Sequence, residues 1–143
     1  MSYQKILIPV DGSVFSDEAL AKGCEFAKDA GSAVTILFVK DRAAYLQMAV
    51  NTDPDDVDSI LAEESDRVLS KASETAESLG VSCETVSVEG NPGRTIAELA
   101  ENYDLVVMGT AGRTGIRKML MGSVTQYVIA NTECPVMAVK IKE

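Results

Sequence analysis

The sequence predicts an α/β fold: a single doubly wound domain with a five-stranded parallel sheet, strand order 3-2-1-4-5, and helices on both faces. Three observations lead there. Short β-rich runs alternate with segments of helical periodicity from end to end. At 143 residues, with no shift in composition, the chain suits one domain with a sizeable core. The unusual residues, finally, fall in two places: Pro9-Val10-Asp11-Gly12-Ser13 after the first strand, and a glycine-rich stretch from Gly109 to Ser123 after the fourth. Right-handed crossovers leave few ways to wind such a chain. In the order 3-2-1-4-5 the winding reverses between strands 1 and 4, and ligands bind at the carboxyl ends of those two strands.

Residues 5–10 (KILIPV) read as strand 1. Ser13 can cap a helix running to Ala30, where Val14, Phe15, Ala19, Leu20, Cys24, Phe26 and Ala27 recur at helical spacing before Gly31. Residues 34–39 (VTILFV) read as strand 2. Between residues 41 and 56 an apolar piece, Ala43 to Val50, runs into the turn-prone NTDPDD, and no element is assigned. A long helix covers residues 55–79, with Val57, Ile60, Leu61, Val68, Leu69, Ala72, Ala76 and Leu79 on one face and Gly80 as its stop. Residues 81–88 alternate as strand 3. Asn91-Pro92 opens a short helix with Ile96, Leu99 and Ala100 buried, since proline is tolerated at the first helical position. Residues 104–108 form strand 4, residues 123–131 the last helix, and residues 135–141 the last strand. The sum is five strands alternating with four helices.

Composition excludes several classes. Hydrophobic residues make up 46% and charged residues 24%, ordinary for a globular protein. No apolar run approaches the ~20 residues of a membrane helix, and the first residues, MSYQKILIPVDGS, do not resemble a secretory signal. Cys24, Cys83 and Cys134 are odd in number, dispersed and set among apolar residues, which reads as buried free thiols of a cytoplasmic protein. Without histidine or paired cysteines, zinc and haem sites are disfavoured. A formal net charge of -9 argues against nucleic-acid binding, which needs a basic face.

Against that acidic background, the stretch from Met108 to Ser123 holds Arg113, Arg117 and Lys118 and no acid. Its frame is Gly109, two residues, Gly112, nine residues, Gly122-Ser123. Glycines let a backbone approach an anion, and a helix amino end offers unpaired N–H groups and a positive dipole end. The plain alternative makes the glycines turn residues and Ser123 an N-cap worth about 1 kcal/mol. An ordinary strand-to-helix loop has ~2–6 residues, and this one is about twice that, which favours a phosphate site. Asp11 would accept from a ribose hydroxyl or help hold Mg²⁺ on phosphates; otherwise it is an Asp-Gly turn residue. Val10, Val39 and Met108 end strands and serve equally as core or as walls of a base. Arg94, also at a strand's carboxyl end, is a further candidate for the crevice.

Other chemistries lack their residues. The GxxxxGK[ST] loop of P-loop NTPases is missing, and no GxGxxG follows strand 1. A receiver-type domain needs an acidic cluster after strand 1 and an aspartate after strand 3, but Asp11 stands alone and strand 3 ends in Val88-Glu89-Gly90. A Ser–His or Cys–His pair is impossible without histidine. No catalytic residue is assigned. A slow ATPase or phosphotransfer enzyme, and a dimer binding protein through Ala43 to Val50 or Ile116 to Met121, remain as alternatives.

Over nearly its whole length the chain resembles the universal stress protein family. The resemblance lies in KILIPVDGS at 5–13, EGNPGRTI at 89–96 and LVVMGTAGRTGIRKMLMGSVTQYVIANTECPVMAVK at 105–140. The spacing of Gly109, Gly112 and Gly122-Ser123 matches that family's ATP-binding branch. The resemblance implies an ATP site in which Pro9, Val10 and Asp11 lie along adenine and ribose and Val39 and Met108 wall the base. Gly109, Gly112, Arg113, Gly122, Ser123 and Val124 then take ribose and phosphate. Where many members carry Ser-His, this chain has Thr110-Ala111. It also implies a homodimer through the last strand, Val136 to Ile141, an apolar edge of the kind that tends to pair.

Overall fold

The computed structural model describes residues 2–48, 51, 53–111 and 121–141. The strands are β1 (Lys5–Pro9), β2 (Ala33–Lys40), β3 (Cys83–Glu89), β4 (Leu105–Gly109) and β5 (Val136–Val139). The helices are α1 (Val14–Ala30), α2 (Arg42–Met48), α3 (Pro54–Ser78), α4 (Pro92–Ala100) and α5 (Ser123–Asn131). All strand pairs are parallel, in the order β3-β2-β1-β4-β5 that the alternation predicts.

Period-two alternation divides the core between two faces. Ile6, Ile8, Ile36, Phe38 and Val107 pack with Ala19, Leu20 and Cys24 of α1 and with Leu69, Ala72 and Ala76 of α3. Leu7, Leu37, Val106 and Met108 pack on the other side, with Ile96 and Ala100 of α4 and Val128 of α5. Both faces are covered, which is the condition under which a parallel sheet is stable.

The pairing is uneven. β2 meets β3 over seven residues, from Val34↔Cys83 to Lys40↔Glu89. β1 and β4 are paired only at Ile6↔Leu105 and Leu7↔Val106. At their amino ends, Asp104 reinforces this seam. Its Oδ2 accepts the N–H groups of Gln4 and Lys5, each at 2.9 Å, and its own N–H donates to the Lys5 carbonyl at 2.9 Å.

Beyond shifts of a single residue at several ends, the structure differs from expectation in three places. The unassigned stretch after β2 contains α2, started by Asp41, whose Oδ1 accepts the Ala44 N–H at 3.1 Å. None of its residues is buried, so it leaves no apolar stripe to read. β3 starts at Cys83 rather than Val81, because the Val81 N–H is spent on the Ala76 carbonyl at the end of α3. β5 is shorter than residues 135–141.

Burial, and secondarily Cys83, pushes the Cys24 thiol up to about 11 from an ordinary 9.0. A folded pKa above the unfolded one means that the unfolded chain gives up this proton first. The stabilising contribution is therefore complete below pH 9 and is lost as pH rises toward 11. Urea titrations at pH 8 and pH 10 should show wild type losing more stability over that interval than Cys24→Ala; equal losses would contradict the assignment.

Candidate functional site

The end of β1 is held by a compact set of local bonds. The Val10 N–H donates to the Leu37 carbonyl at 2.8 Å, which carries the β1–β2 ladder one residue past Pro9. Asp11 Oδ1 accepts the Ser13 N–H at 2.9 Å, the local bond of a turn aspartate. Gly12, between them, has φ +84°, a backbone that a side chain would strain. Ser13 caps α1 as expected, its Oγ accepting from the Ser16 N–H at 3.2 Å. Ser16 itself is buried. Its Oγ accepts the Asp11 N–H at 3.2 Å and donates to the Ser13 carbonyl at 3.1 Å, tying the turn to the helix.

The end of β4 lies directly beside this turn. A Cβ on Gly109 would stand 2.8 Å from the carbonyl oxygen of Phe15, in the first turn of α1. The bareness of Gly109 therefore serves helix packing, a role apart from the ligand contact that the sequence assigned it. Gly109→Ala sets a methyl against main chain that cannot swing aside, so we expect a loss of about 1–3 kcal/mol in urea unfolding. An unchanged midpoint would show that α1 can shift freely.

Past β4, the Thr110 N–H donates to the Val139 carbonyl at 3.1 Å, and the Thr110 carbonyl accepts the Gly122 N–H at 2.6 Å. The buried Thr125 hydroxyl donates to the Gly109 carbonyl at 2.7 Å. These bonds bring Gly122 and Ser123 to the end of β4, the strand paired with β1. The start of α5 differs from that of the other long helices. Ser13, Asp53 and Asn91 each cap their helix with a side-chain oxygen, but α5 begins at Gly122 with no side-chain cap bond. Ser123 is the first helical residue rather than the cap, and both it and Val124 are exposed.

The strand-end apolar residues do not share one face. Val39 and the buried Met108 belong to the α4/α5 side, and Val10 to the α1/α3 side. Arg94 is exposed in the first turn of α4, its N–H held by Asn91 Oδ1 at 3.1 Å. Gly112, Arg113, Arg117 and Lys118 lie outside the described residues. Sequence reasoning missed Ser16 and Thr125. A hydroxyl at the third residue of each helix that follows a crevice strand was the available signal.

A second cleft, of about 260 Å³, opens at the other end of the sheet between Ala100, Tyr103, Cys134 and Pro135. Burial, then Glu101 and Asp104, raises the Cys134 thiol above its ordinary value. Two of the carboxylates there serve the chain itself: Asp104 holds β1, and Glu101 Oε1 accepts from the Thr132 hydroxyl at 3.0 Å. Among the described residues no group of three histidine, cysteine, aspartate or glutamate side chains could hold a metal ion, and no helix is long and apolar enough to cross a membrane.

The model of the universal stress protein family matches residues 2–140. The universal stress protein MJ0531 of Methanocaldococcus jannaschii is 39% identical over 140 residues, covering 96% of this chain and 82% of its own. The solved structure of MJ0577, a universal stress protein of the same organism, superposes with a TM-score of 0.84 at 28% identity, covering 100% of this chain and 99% of that one. A universal stress protein solved in complex with cAMP shares the fold, with a TM-score of 0.70 at 23% identity over 98% of each chain.

Proposed function

The chain belongs to the universal stress protein family, and we propose that within it this protein binds ATP and acts as a nucleotide-dependent regulator. The observation that carries the reading is the uncapped amino end of α5, seated at the end of β4 beside the Asp11 turn. N–H groups of a first helical turn, which have no partner within the helix, suit an anion. The glycine frame from Gly109 to Gly122-Ser123 supplies approach for phosphates, with Gly112 and Arg113 completing it. Ser123 and Val124 would offer their N–H groups, and Ser123 its hydroxyl. Pro9, Val10 and Asp11 would run along adenine and ribose, and Val39 and Met108 would wall the base. The complex with cAMP belongs to a protein whose likeness to this one speaks for the fold alone.

Mg²⁺ fits this site only as a companion of the nucleotide. One Asp11 carboxylate, with Oδ1 already holding the Ser13 N–H, is too little for an ion of its own. Mg²⁺ takes few protein carboxylates and keeps its waters, so the phosphates would supply the rest. The free thiols fit a cytoplasmic protein, and the outer edge of β5 fits pairing with a second copy.

Denaturing the purified protein should release an adenine nucleotide identifiable by mass and absorbance. The stripped protein should take up ATP saturably by calorimetry, with and without Mg²⁺, and sediment at twice the 15.2 kDa of one chain. Absence of both released nucleotide and ATP heat would end the nucleotide reading; a single-chain mass would end the dimer.

A further inference from the structure

In a helix, a threonine hydroxyl ordinarily bonds back to the carbonyl three or four residues earlier. Thr125 does not. The carbonyls it would use, Met121 and Gly122, are taken by the side-chain amide and the N–H of Gln126. The Thr125 hydroxyl instead reaches sixteen residues back to the Gly109 carbonyl, at 2.7 Å and fully inside the protein. It works in parallel with the Gly122 N–H on the Thr110 carbonyl. Gly109 in turn is packed against main chain of α1, and the Thr110 N–H is bonded to β5. Through this hydroxyl, with the Gly122 N–H beside it, the first turn of α5 is tied to a closely packed part of the crevice.

We propose that Thr125 is a positioning residue of the nucleotide site: its hydroxyl sets the distance and tilt between the end of β4 and the uncapped end of α5. It thereby aims the Ser123 and Val124 N–H groups at the phosphates without touching them. The inference rests on the nucleotide reading above. Preorganised donors lose their value when displaced by about half an ångström, and only this side chain, among the described residues, ties the turn to β4.

The test compares wild type, Thr125→Val, Thr125→Ser and Ser65→Ala by ATP calorimetry, amide hydrogen exchange and thermal melting. Ser65 is a control: its buried hydroxyl pairs with Ser87 Oγ at 2.6 Å, between α3 and β3. Thr125→Val should weaken ATP about tenfold and expose the Gly122 amide to faster exchange. Thr125→Ser, which keeps the hydroxyl, should restore both to within about twofold. Ser65→Ala should lower the melting temperature and move neither. ATP affinity equal to wild type in Thr125→Val overturns the proposal, as does a loss in Ser65→Ala that matches it. If wild type binds no adenine nucleotide, the functional reading fails first and takes this one with it.

Discussion

At the proposed ATP site, Gly122→Val will lower affinity at least about a hundredfold while leaving the fold intact. Gly122 has φ -62° and ψ 156°, ordinary extended backbone, so a side chain there meets no conformational penalty. The expected loss therefore comes from the isopropyl group standing where an anion approaches the first turn of α5. Valine is also a weaker cap than glycine, a cost of about 1 kcal/mol in stability, which a melting curve will register separately. Calorimetry of Gly122→Ala should fall between the two proteins. Wild-type affinity in Gly122→Val would remove Gly122 from the site and, with it, the amino end of α5.

Phe38→Ala will be the most destabilising single truncation of the core named here. Phe38 is 1% exposed on β2, the strand between β1 and β3, and packs with the side chains of α1 and α3. Removing a buried phenyl ring loses its transfer free energy and leaves a cavity, together about 3–5 kcal/mol. In a chain of this size that is a fall in melting temperature of about 10 °C or more. Urea unfolding should show a lower midpoint with an unchanged slope; a loss under about 1.5 kcal/mol would mean that α1 and α3 close over the gap.

Much of the fold was legible because its signals are local or periodic. Strand order followed from alternation and handedness. Ser13 and Asn91 cap α1 and α4 where expected, and α5 spans Ser123–Asn131 as read. The two core faces also follow from period two: Ile6, Ile8 and Val10 turn one way and Leu7 the other. The same rule sets Val10 and Met108 on opposite faces of the sheet. Helix α2 was illegible because it buries nothing, so it has no face to mark. The contacts of Ser16 and Thr125 were illegible for another reason: a hydroxyl in sequence carries no sign of which carbonyl or N–H it will find. Gly109 shows the limit most clearly. A bare residue says that something comes close, but only the structure says that it is Phe15.

The short β1–β4 pairing has a mechanical consequence. The sheet is two blades, β3-β2-β1 and β4-β5, bolted together by Asp104 at one end and joined at only two residue pairs. Toward the crevice the ladder gives out, and there the two blades are held by α1, whose first turn packs on Gly109. A molecule gripped there by the Asp11 turn on one blade and the start of α5 on the other would act as the missing rung. The seam between the blades would then be tied at both of its ends.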